Sequence, residues 1–277
     1  MTSLSENPSP MSQFPQPFPP AWASGWGEDD YGHYAEFEIS GVTQRLRWVY
    51  PGTFLMGSPE TEAERSDDET QHQVTITQGY WLADTACTQR LWEAVMGGNP
   101  SHFKGEDRPV ERVSWQDVAG FLDRLSQQQP DPNLRLPTES EWEYACRAGT
   151  ETPFAAGEQI PTDQANYNGR YPYGDGPKGQ YREETIEVKA LAEGVNTWGL
   201  HQMHGNVWEW CADWYGDYPE GEVVDPVGPP GGESRVLRGG SWINGGRSLR
   251  SAYRDFLVPG SRYHFIGLRL ARGQKSG

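Results

Sequence analysis

The chain has 277 residues and a formal net charge of -16, from 39 acidic and 23 basic side chains. Nucleic acids and anionic membranes attract basic patches, so this charge argues against both kinds of partner. Hydrophobic residues are only 35% of the chain, while Gly (33), Pro (22), Trp (12), Tyr (13) and Phe (9) are abundant. This composition indicates a loop-rich fold whose buried area is largely aromatic.

Residues 1–21 hold many Pro and Ser and little that could pack, which predicts a disordered leader. The N-terminus has no basic start and no apolar core segment, so no signal peptide is predicted. No run approaches the length of a membrane span, and we expect a cytoplasmic protein. Residues 22–277 contain no internal repeat and no second linker, which predicts a single domain.

The first predicted strands form a hairpin, in which residues 37–39 and 44–49 are joined across Ser40-Gly41. An acidic loop is predicted at residues 58–72. Alternating or short apolar runs predict further strands at residues 54–57, 73–77, 207–210, 234–238 and 266–270.

Three helices are predicted from their capping residues. Thr88 caps the first, which runs to Met96. Ser114 caps the second, while the third begins at Thr138 with a capping-box spacing and ends at Gly149. The second helix presents one apolar face at helical spacing, made of Val118, Phe121, Leu122 and Leu125.

Residues 150–196 have no periodic segment, yet their aromatic content predicts a long ordered loop region packed by its own side chains. The three cysteines are far apart and contain no Cys-x-x-Cys pair, which argues against zinc. Cys146 lies one helical turn from Trp142 and is predicted to be a core residue. Cys87 and Cys211 could pair, but buried free thiols are favoured.

Seven short motifs follow one another in a diagnostic order. They are residues 56–58 (MGS), 109–115 (PVERVSW), 135–145 (RLPTESEWEYA), 198–200 (WGL), 205–210 (GNVWEW), 238–242 (RGGSW) and 267–269 (GLR). Over about residues 48–272 the chain resembles the formylglycine-generating enzyme (sulfatase-modifying factor) family. The resemblance implies an α+β variant of the C-type lectin fold, with small twisted antiparallel sheets, two to three helices and much irregular structure.

Two features within these motifs have a structural interpretation. Trp208 and Trp210 alternate along one strand, so a single face carries both indoles into the core. Arg135 and Arg269 are expected to form buried or half-buried ion pairs with carboxylates of the helix at residues 139–143, a role that suits Arg better than Lys.

The resemblance does not extend to the residues that carry the family's chemistry. In formylglycine-generating enzymes, two cysteines shortly after the Gly-Gly-Ser motif bind copper, and those positions here are Asn244 and Leu249. Neither supplies a soft thiolate for Cu(I), and no cysteine follows Cys211. Iron-binding relatives in ergothioneine synthesis use an added helical domain, for which there is no room before Trp22. We therefore expect no copper, no iron and no catalytic residue.

The alternative hypothesis is a metal-dependent oxidase or modifying enzyme of this superfamily with a non-standard active site. His201 and His204, beside Gly205-Asn206, are its candidate ligands or acid-base groups, although a structural role is favoured. Bound copper or iron would support the enzyme, whereas calcium or no metal would support a binding protein.

Calcium is the one cofactor that the resemblance favours, because family members bind it with loop oxygens. Asn166 and Asp175 lie on Gly-rich loops, and Asn206 lies in another family calcium loop. Hard oxygen donors on such loops suit Ca²⁺. The competing interpretation is that Asn166 and Asp175 are ordinary turn residues.

The C-terminal stretch also resembles the variable proteins that retroelements diversify. The matching framework segments are residues 239–242, 250–252, 259–262 and 266–269. Mixed, bulky side chains lie between them, as in an adaptable contact surface. We therefore expect a monomeric, non-catalytic binding protein with a protein ligand. The expected contact residues are Trp242, Asn244, Arg247, Tyr253, Asp255, Phe256, Leu257, Ser261, Tyr263, His264 and Phe265.

Overall fold

The computed structural model describes residues 14–128 and 133–273. In chain order its strands are β1 (Gly25–Asp29), β2 (Gly32–Ile39), β3 (Val42–Val49), β4 (Gly52–Met56), β5 (His72–Ile76), β6 (Tyr80–Ala83), β7 (Leu134–Arg135), β8 (Trp208–Trp214), β9 (Val223–Val224), β10 (Arg235–Arg238), β11 (Arg254–Leu257), β12 (Ile266–Leu268) and β13 (Ala271–Gly273). They form sheets of order β1-β2-β3-β6-β13-β7, β11-β10-β8-β12 and β4-β5-β9. Because β13 lies between β6 and β7, the C-terminal stretch is tied to the N-terminal half.

The predicted hairpin is confirmed, with Ile39 opposite Val42 in an antiparallel β2–β3 ladder. Ser40 and Gly41 both have positive φ, at 50° and 81°, as a two-residue turn between twisted strands requires. The sheets are mainly antiparallel, as expected, and two pairs within them are parallel: β12 with β8, and β5 with β9. Other elements lie between the two strands of each pair in the sequence, so the intervening chain supplies the crossover that parallel pairing requires.

All three predicted helices are present, as α1 (Gln89–Met96), α2 (Trp115–Gln127) and α3 (Glu139–Arg147). The side chains of Thr88, Ser114 and Thr138 accept hydrogen bonds at the three N-termini, the last two within complete capping boxes. The end of α3 differs slightly from the prediction, because Ala148 already adopts the left-handed conformation.

Residues 150–196 form the predicted ordered loop region, with one short 3₁₀ turn at Ala192–Gly194. Its side chains build a small core of their own rather than joining the larger ones. That core consists of Phe154, Ile160, Ala165, Tyr167, Tyr173 and Leu249.

The largest hydrophobic core lies among the first sheet, α1, α2 and β8. Trp208 and Trp210 are both buried in it, which confirms their placement on one face of the strand. The Trp210 Nε1–H donates to the Val113 carbonyl oxygen at 3.0 Å. The indoles therefore join β8 to the segment that precedes α2.

The expected pairing of Arg135 with α3 is found, since its guanidinium donates twice to Glu141 at 2.6 Å. The same expectation was wrong for Arg269, which binds Glu209 instead. Glu209 lies between the two core indoles on β8, and alternation turns its carboxylate to the opposite face. The parallel pairing of β12 with β8 places Gly267 opposite Glu209 and so positions the arginine.

Three more arginines of the C-terminal stretch are buried and paired with carboxylates. Arg238 binds Glu143, and Arg254 binds Glu139 through two nitrogens at 2.7 and 2.9 Å. Arg250 donates to both Glu69 oxygens and to Glu62. We call Arg238, Arg250, Arg254 and Arg269 the arginine framework.

Part of the expected leader is packed. Residues 1–13 lie outside the described residues, but Phe18 contacts Trp26 and His33 edge-to-face, with ring centroids 5.5 and 4.9 Å apart. The aromatic content of residues 14–21 accounts for this difference, because rings can add to an aromatic edge despite the Pro-rich sequence.

All three cysteines are buried free thiols, as favoured from the sequence. Within the described ranges, no helix combines the length and the apolar character that crossing a bilayer demands.

Candidate ligand-binding surface

Trp242, an expected contact residue, is instead the buried floor of an aromatic cluster, with 5% of its surface exposed. Its Nε1–H donates to the His264 carbonyl oxygen at 3.1 Å, and its backbone N–H donates to the Asn206 carbonyl. Phe103 meets the indole edge-to-face at 5.3 Å, and Tyr181 stacks on it at 6.1 Å. The indole is thus fixed by hydrogen bonds and by rings from two other segments.

Tyr263, His264 and Phe265 lie above that floor with graded exposure. Tyr263 is 45% exposed, and its ring is parallel to that of half-buried Phe265 at 5.2 Å. His264 is half-buried, and its ring lies 5.4 Å from Trp242 and 5.7 Å from His102. Burial and the neighbouring charges lower the pKa of His264. The outermost ring is therefore free to meet a ligand, while its neighbours support it.

Three residues of this cluster were not predicted from the sequence. His102 and Phe103 follow α1, and Tyr181 lies in the long loop region. No local pattern joins these segments to Trp242, so tertiary contacts alone reveal them. We define the aromatic surface as His102, Phe103, Tyr181, Trp242, Tyr263, His264 and Phe265.

The expected contact residues on β11 divide between its two faces. Phe256 is exposed and stacks on Tyr215 with centroids 4.1 Å apart. Half-buried Leu257 packs against the largest core. Asp255 is half-buried, and burial raises the pKa of its carboxyl group. Successive strand residues point in opposite directions, so these three side chains form no common surface.

Three further expected contact residues, Arg247, Tyr253 and Ser261, lie apart from the aromatic surface. Arg247 is exposed but bound to the acidic loop, donating to the Glu64 carbonyl oxygen at 2.8 Å. Tyr253 is half-buried, and the Arg247 guanidinium lies 5.6 Å from its ring centroid. Ser261 is half-buried and closes a turn by donating its backbone N–H to the Val258 carbonyl. The predicted set therefore forms separate groups, of which only the aromatic surface is a cluster.

The two positions that hold copper-binding cysteines in the resembled enzymes contain engaged or buried side chains. Asn244 Oδ1 accepts from the Ser241 hydroxyl at 2.6 Å. Leu249 is fully buried in the loop-region core. A carboxamide oxygen and an alkyl group offer no donor suited to Cu(I).

A thiol and an imidazole lie beneath Leu249, and both are structurally engaged. His204 Nδ1 donates to the Leu249 carbonyl at 2.7 Å, and Nε2 accepts from the Ala155 N–H at 3.1 Å. Burial lowers the pKa of His204 to about 4 and raises that of Cys146, 3.7 Å away, to about 12. A neutral imidazole with both ring nitrogens in hydrogen bonds and a protonated thiol do not form a nucleophilic pair. Burial likewise lowers the pKa of His201 to about 4.

Two of the three residues expected to bind calcium lie together, and the third, Asp175, lies apart from them. Asn166 Nδ2 donates to Asn206 Oδ1 at 3.0 Å, and that same oxygen accepts from the Ile186 N–H. Asp175 is exposed on a different loop and lines a separate cavity with Glu62. The expected trio therefore does not fit a Ca²⁺ site, because its carboxylate is remote and one amide oxygen already binds two N–H groups. Asn166 Oδ1 is buried without a hydrogen-bond partner.

The sulfatase-modifying factor enzyme 1-like domain family matches residues 37–274. This chain belongs to that family. Its relatives include formylglycine-generating enzymes of Bos taurus, 32% identical over 76% of this chain, and of Thermomonospora curvata, 35% identical over 80%. The serine/threonine-protein kinase pkn1 of Chlamydia caviae is 36% identical over 70% of this chain. The chain spans 59% of the bovine enzyme, 69% of the Thermomonospora enzyme and 28% of the kinase.

Solved structures place this family member on a known fold. Treponema denticola variable protein 1 superposes with a TM-score of 0.75 and 27% identity, covering 87% of this chain and 99% of that one. PvdO from Pseudomonas aeruginosa superposes with a TM-score of 0.68 at 23% identity, covering 91% and 99% of the two chains, and shows the fold alone. The family assignment and the resemblance to variable proteins are both confirmed, on a C-type-lectin-like α+β fold.

Proposed function

We propose that this family member binds a protein ligand at its aromatic surface without transforming it chemically. The observation that carries the proposal is a chain of ring contacts that runs from the buried, hydrogen-bonded Trp242 through His264 and Phe265 to the exposed ring of Tyr263. Rigid aromatic side chains supply large contact areas at low conformational cost. The structural similarity to a variable protein supports the same role.

Charges of both signs lie around the aromatic surface. Arg170 has its guanidinium 5.2 Å from the Tyr181 ring centroid and forms an ion pair with Glu183. The backbone N–H groups of His102 and Phe103 donate to Glu111. We therefore expect recognition to depend on contact with the rings more than on the net charge of the ligand.

The donor chemistry near the surface supports binding rather than oxidation. Asn244 and Leu249 replace the thiolate pair, and Cys146 is held as a buried thiol. We expect no formylglycine when the protein is incubated with a sulfatase-type cysteine peptide, with or without copper. Mass spectrometry that detected this product would overturn the proposal.

Site-specific photocrosslinking tests the binding surface even while the ligand is unidentified. A photoreactive phenylalanine at position 263 is expected to capture a discrete protein, whereas the same probe at Val224, which is 63% exposed on β9, is not. An excess of unlabelled parent should compete, and a Tyr263→Ser, His264→Ser competitor should not. Equal capture from both positions, or equal competition by both proteins, would contradict the proposal.

A further inference from the structure

A cavity of about 310 Å³ lies on another part of the molecule, between the start of α3 and residues 213–229. Its walls are mainly apolar and include Met56, Trp214, Tyr218, Val227 and Pro229. This volume is at the small end of the range of about 300–1,000 Å³ found for small-molecule sites. None of its lining residues belongs to the aromatic surface.

Asp213, which is 4% exposed, lines one wall of the cavity. The backbone N–H of Glu139, at the start of α3, donates to its Oδ2 at 2.8 Å. In the described part of the chain, no basic side chain forms an ion pair with Asp213. Gly228 adopts φ of +71°, and a Cβ there would lie 3.1 Å from Oδ1. The backbone thus closes over this carboxylate as only glycine easily permits.

The other buried charges at the cavity are already paired with one another, while the Asp217 carboxylate is exposed at its rim. Arg254 donates to both oxygens of Glu139, and the Tyr218 hydroxyl donates to the same carboxylate at 3.1 Å. The His72 ring is bound to its own segment, with Nδ1 lying 2.9 Å from the Thr70 carbonyl oxygen. Among the described residues that line the cavity, Asp213 is thus the buried charged group that the surrounding side chains leave uncompensated.

The pKa of Asp213 reflects its burial and its neighbours. Burial, followed by repulsion from Glu139, raises the pKa of Asp213 to about 7. Arg235 is a basic group close enough for its charge to interact with Asp213, but its guanidinium lies 3.5 Å over the Trp214 ring and is not bonded to the carboxylate. An ammonium group in the cavity would stabilise the ionised carboxylate.

We propose that this cavity binds a small organic amine, whose ammonium group pairs with Asp213 and whose apolar part packs between Trp214, Tyr218 and the proline-rich wall. The geometry selects for positive charge, because Glu139 is satisfied while Asp213 is not. The inference is independent of the aromatic surface and of any ligand bound there.

A series of three probes that differ in charge tests this proposal on the unchanged 277-residue protein. Phenethylamine, 2-phenylethanol and 3-phenylpropanoate share an aromatic ring and a short chain. We expect phenethylamine to bind saturably at pH 8, where Asp213 is ionised, and to bind at least about tenfold more tightly than either analogue. The chemical shift of the Trp214 indole N–H would report occupancy of the cavity. Equal affinity for the alcohol, or no saturable shift with the amine, would overturn the proposal.

A matched pair of variants locates the binding charge. Asp213→Asn keeps the size and the acceptor for the Glu139 N–H, and it should weaken phenethylamine binding at least about tenfold. Asp217→Asn removes an exposed carboxylate from the rim of the same cavity and should leave the affinity within about twofold. Melting curves verify that both variants fold, and the probe series on the parent protein decides the question if Asp213→Asn does not. Unchanged binding by a folded Asp213→Asn variant would rule out this recognition.

Discussion

The arginine framework and four residues of the aromatic surface, Trp242, Tyr263, His264 and Phe265, come from the same stretch at residues 238–269, yet the two groups have different chemistry and different partners. Arg238, Arg250 and Arg269 are fully buried and bound to carboxylates from distant segments. Tyr263, a few residues from Arg269, is nearly half exposed. The buried ion pairs of the framework fix the backbone, and replacing one partner would leave a buried charge unpaired. The exposed residues between the framework arginines do not have this structural role.

This difference explains how one scaffold could present different contact residues. Each framework guanidinium is held in place by several acceptors, as Arg238 is by Glu143 and by the carbonyls of Ser251, Ala252 and Tyr253. Those carbonyls belong to the loop that leads into β11. The buried Arg238 side chain therefore fixes the conformation of this loop. Exposed side chains on the loop can differ without changing the backbone.

The largest effect is expected from breaking the framework. Arg250→Met leaves Glu69 buried with no basic partner among the described residues, which should lower the free energy of unfolding by about 3–5 kcal/mol. Urea denaturation measures the loss. Arg262→Met removes an exposed pair with Asp117 and should cost at most about 1 kcal/mol. Similar losses in the two variants would erase the distinction between framework and surface.

Trp242 tests where the boundary between the two regions lies. As a buried floor it should behave like a core aromatic, so Trp242→Ala should destabilise the protein by about 3 kcal/mol, comparable to Trp208→Ala. Thermal melts of both variants provide the comparison. If Trp242→Ala has the same melting temperature as the parent protein, the indole is an exposed contact residue and not part of the core.

The pH dependence of His204 and His264 also distinguishes buried residues from surface residues. His204 has a folded pKa of about 4, below its unfolded value, so its neutral form stabilises the protein above about pH 6.5. That stability, on the order of 3 kcal/mol, is lost as pH falls from 6.5 towards 4. Half-buried His264, whose pKa is also lowered, should titrate at higher pH than His204. NMR titration of the two rings checks the order, and a His204 ring that protonates near pH 6.5 would contradict it.

The smallest effect is expected at the outermost ring. Tyr263→Ser should change the free energy of unfolding by no more than about 0.5 kcal/mol, because nearly half of the residue is exposed and it belongs to no hydrophobic core. Phe265→Ser, in the same stack, should cost more since that ring packs against the largest core. Circular dichroism melts distinguish them. Equal destabilisation by the two changes would show that the stack acts as one core unit.

Part of the candidate site was accessible to sequence reasoning because local patterns specify exposure where a chain turns. Tyr263, expected on the surface between two framework segments, is exposed. Trp242 is not, because its burial depends on Phe103 and Tyr181, which come from segments far away in the chain. Asp255 and Phe256 were grouped by sequence proximity, although neighbouring strand residues point to opposite faces.

The amino-acid sequence by itself determined the three helices and the β2–β3 hairpin, because caps and turns act through residues three or four positions apart. It also determined the family, because a series of ordered motifs, such as residues 205–210, can be recognised from the sequence alone. Only the tertiary structure decided which carboxylate binds Arg269, and why Asp175 and Asn166 stay apart. It alone brought Asp213 to a cavity without a counter-ion. Those outcomes depend on long-range packing and burial, which no local pattern encodes.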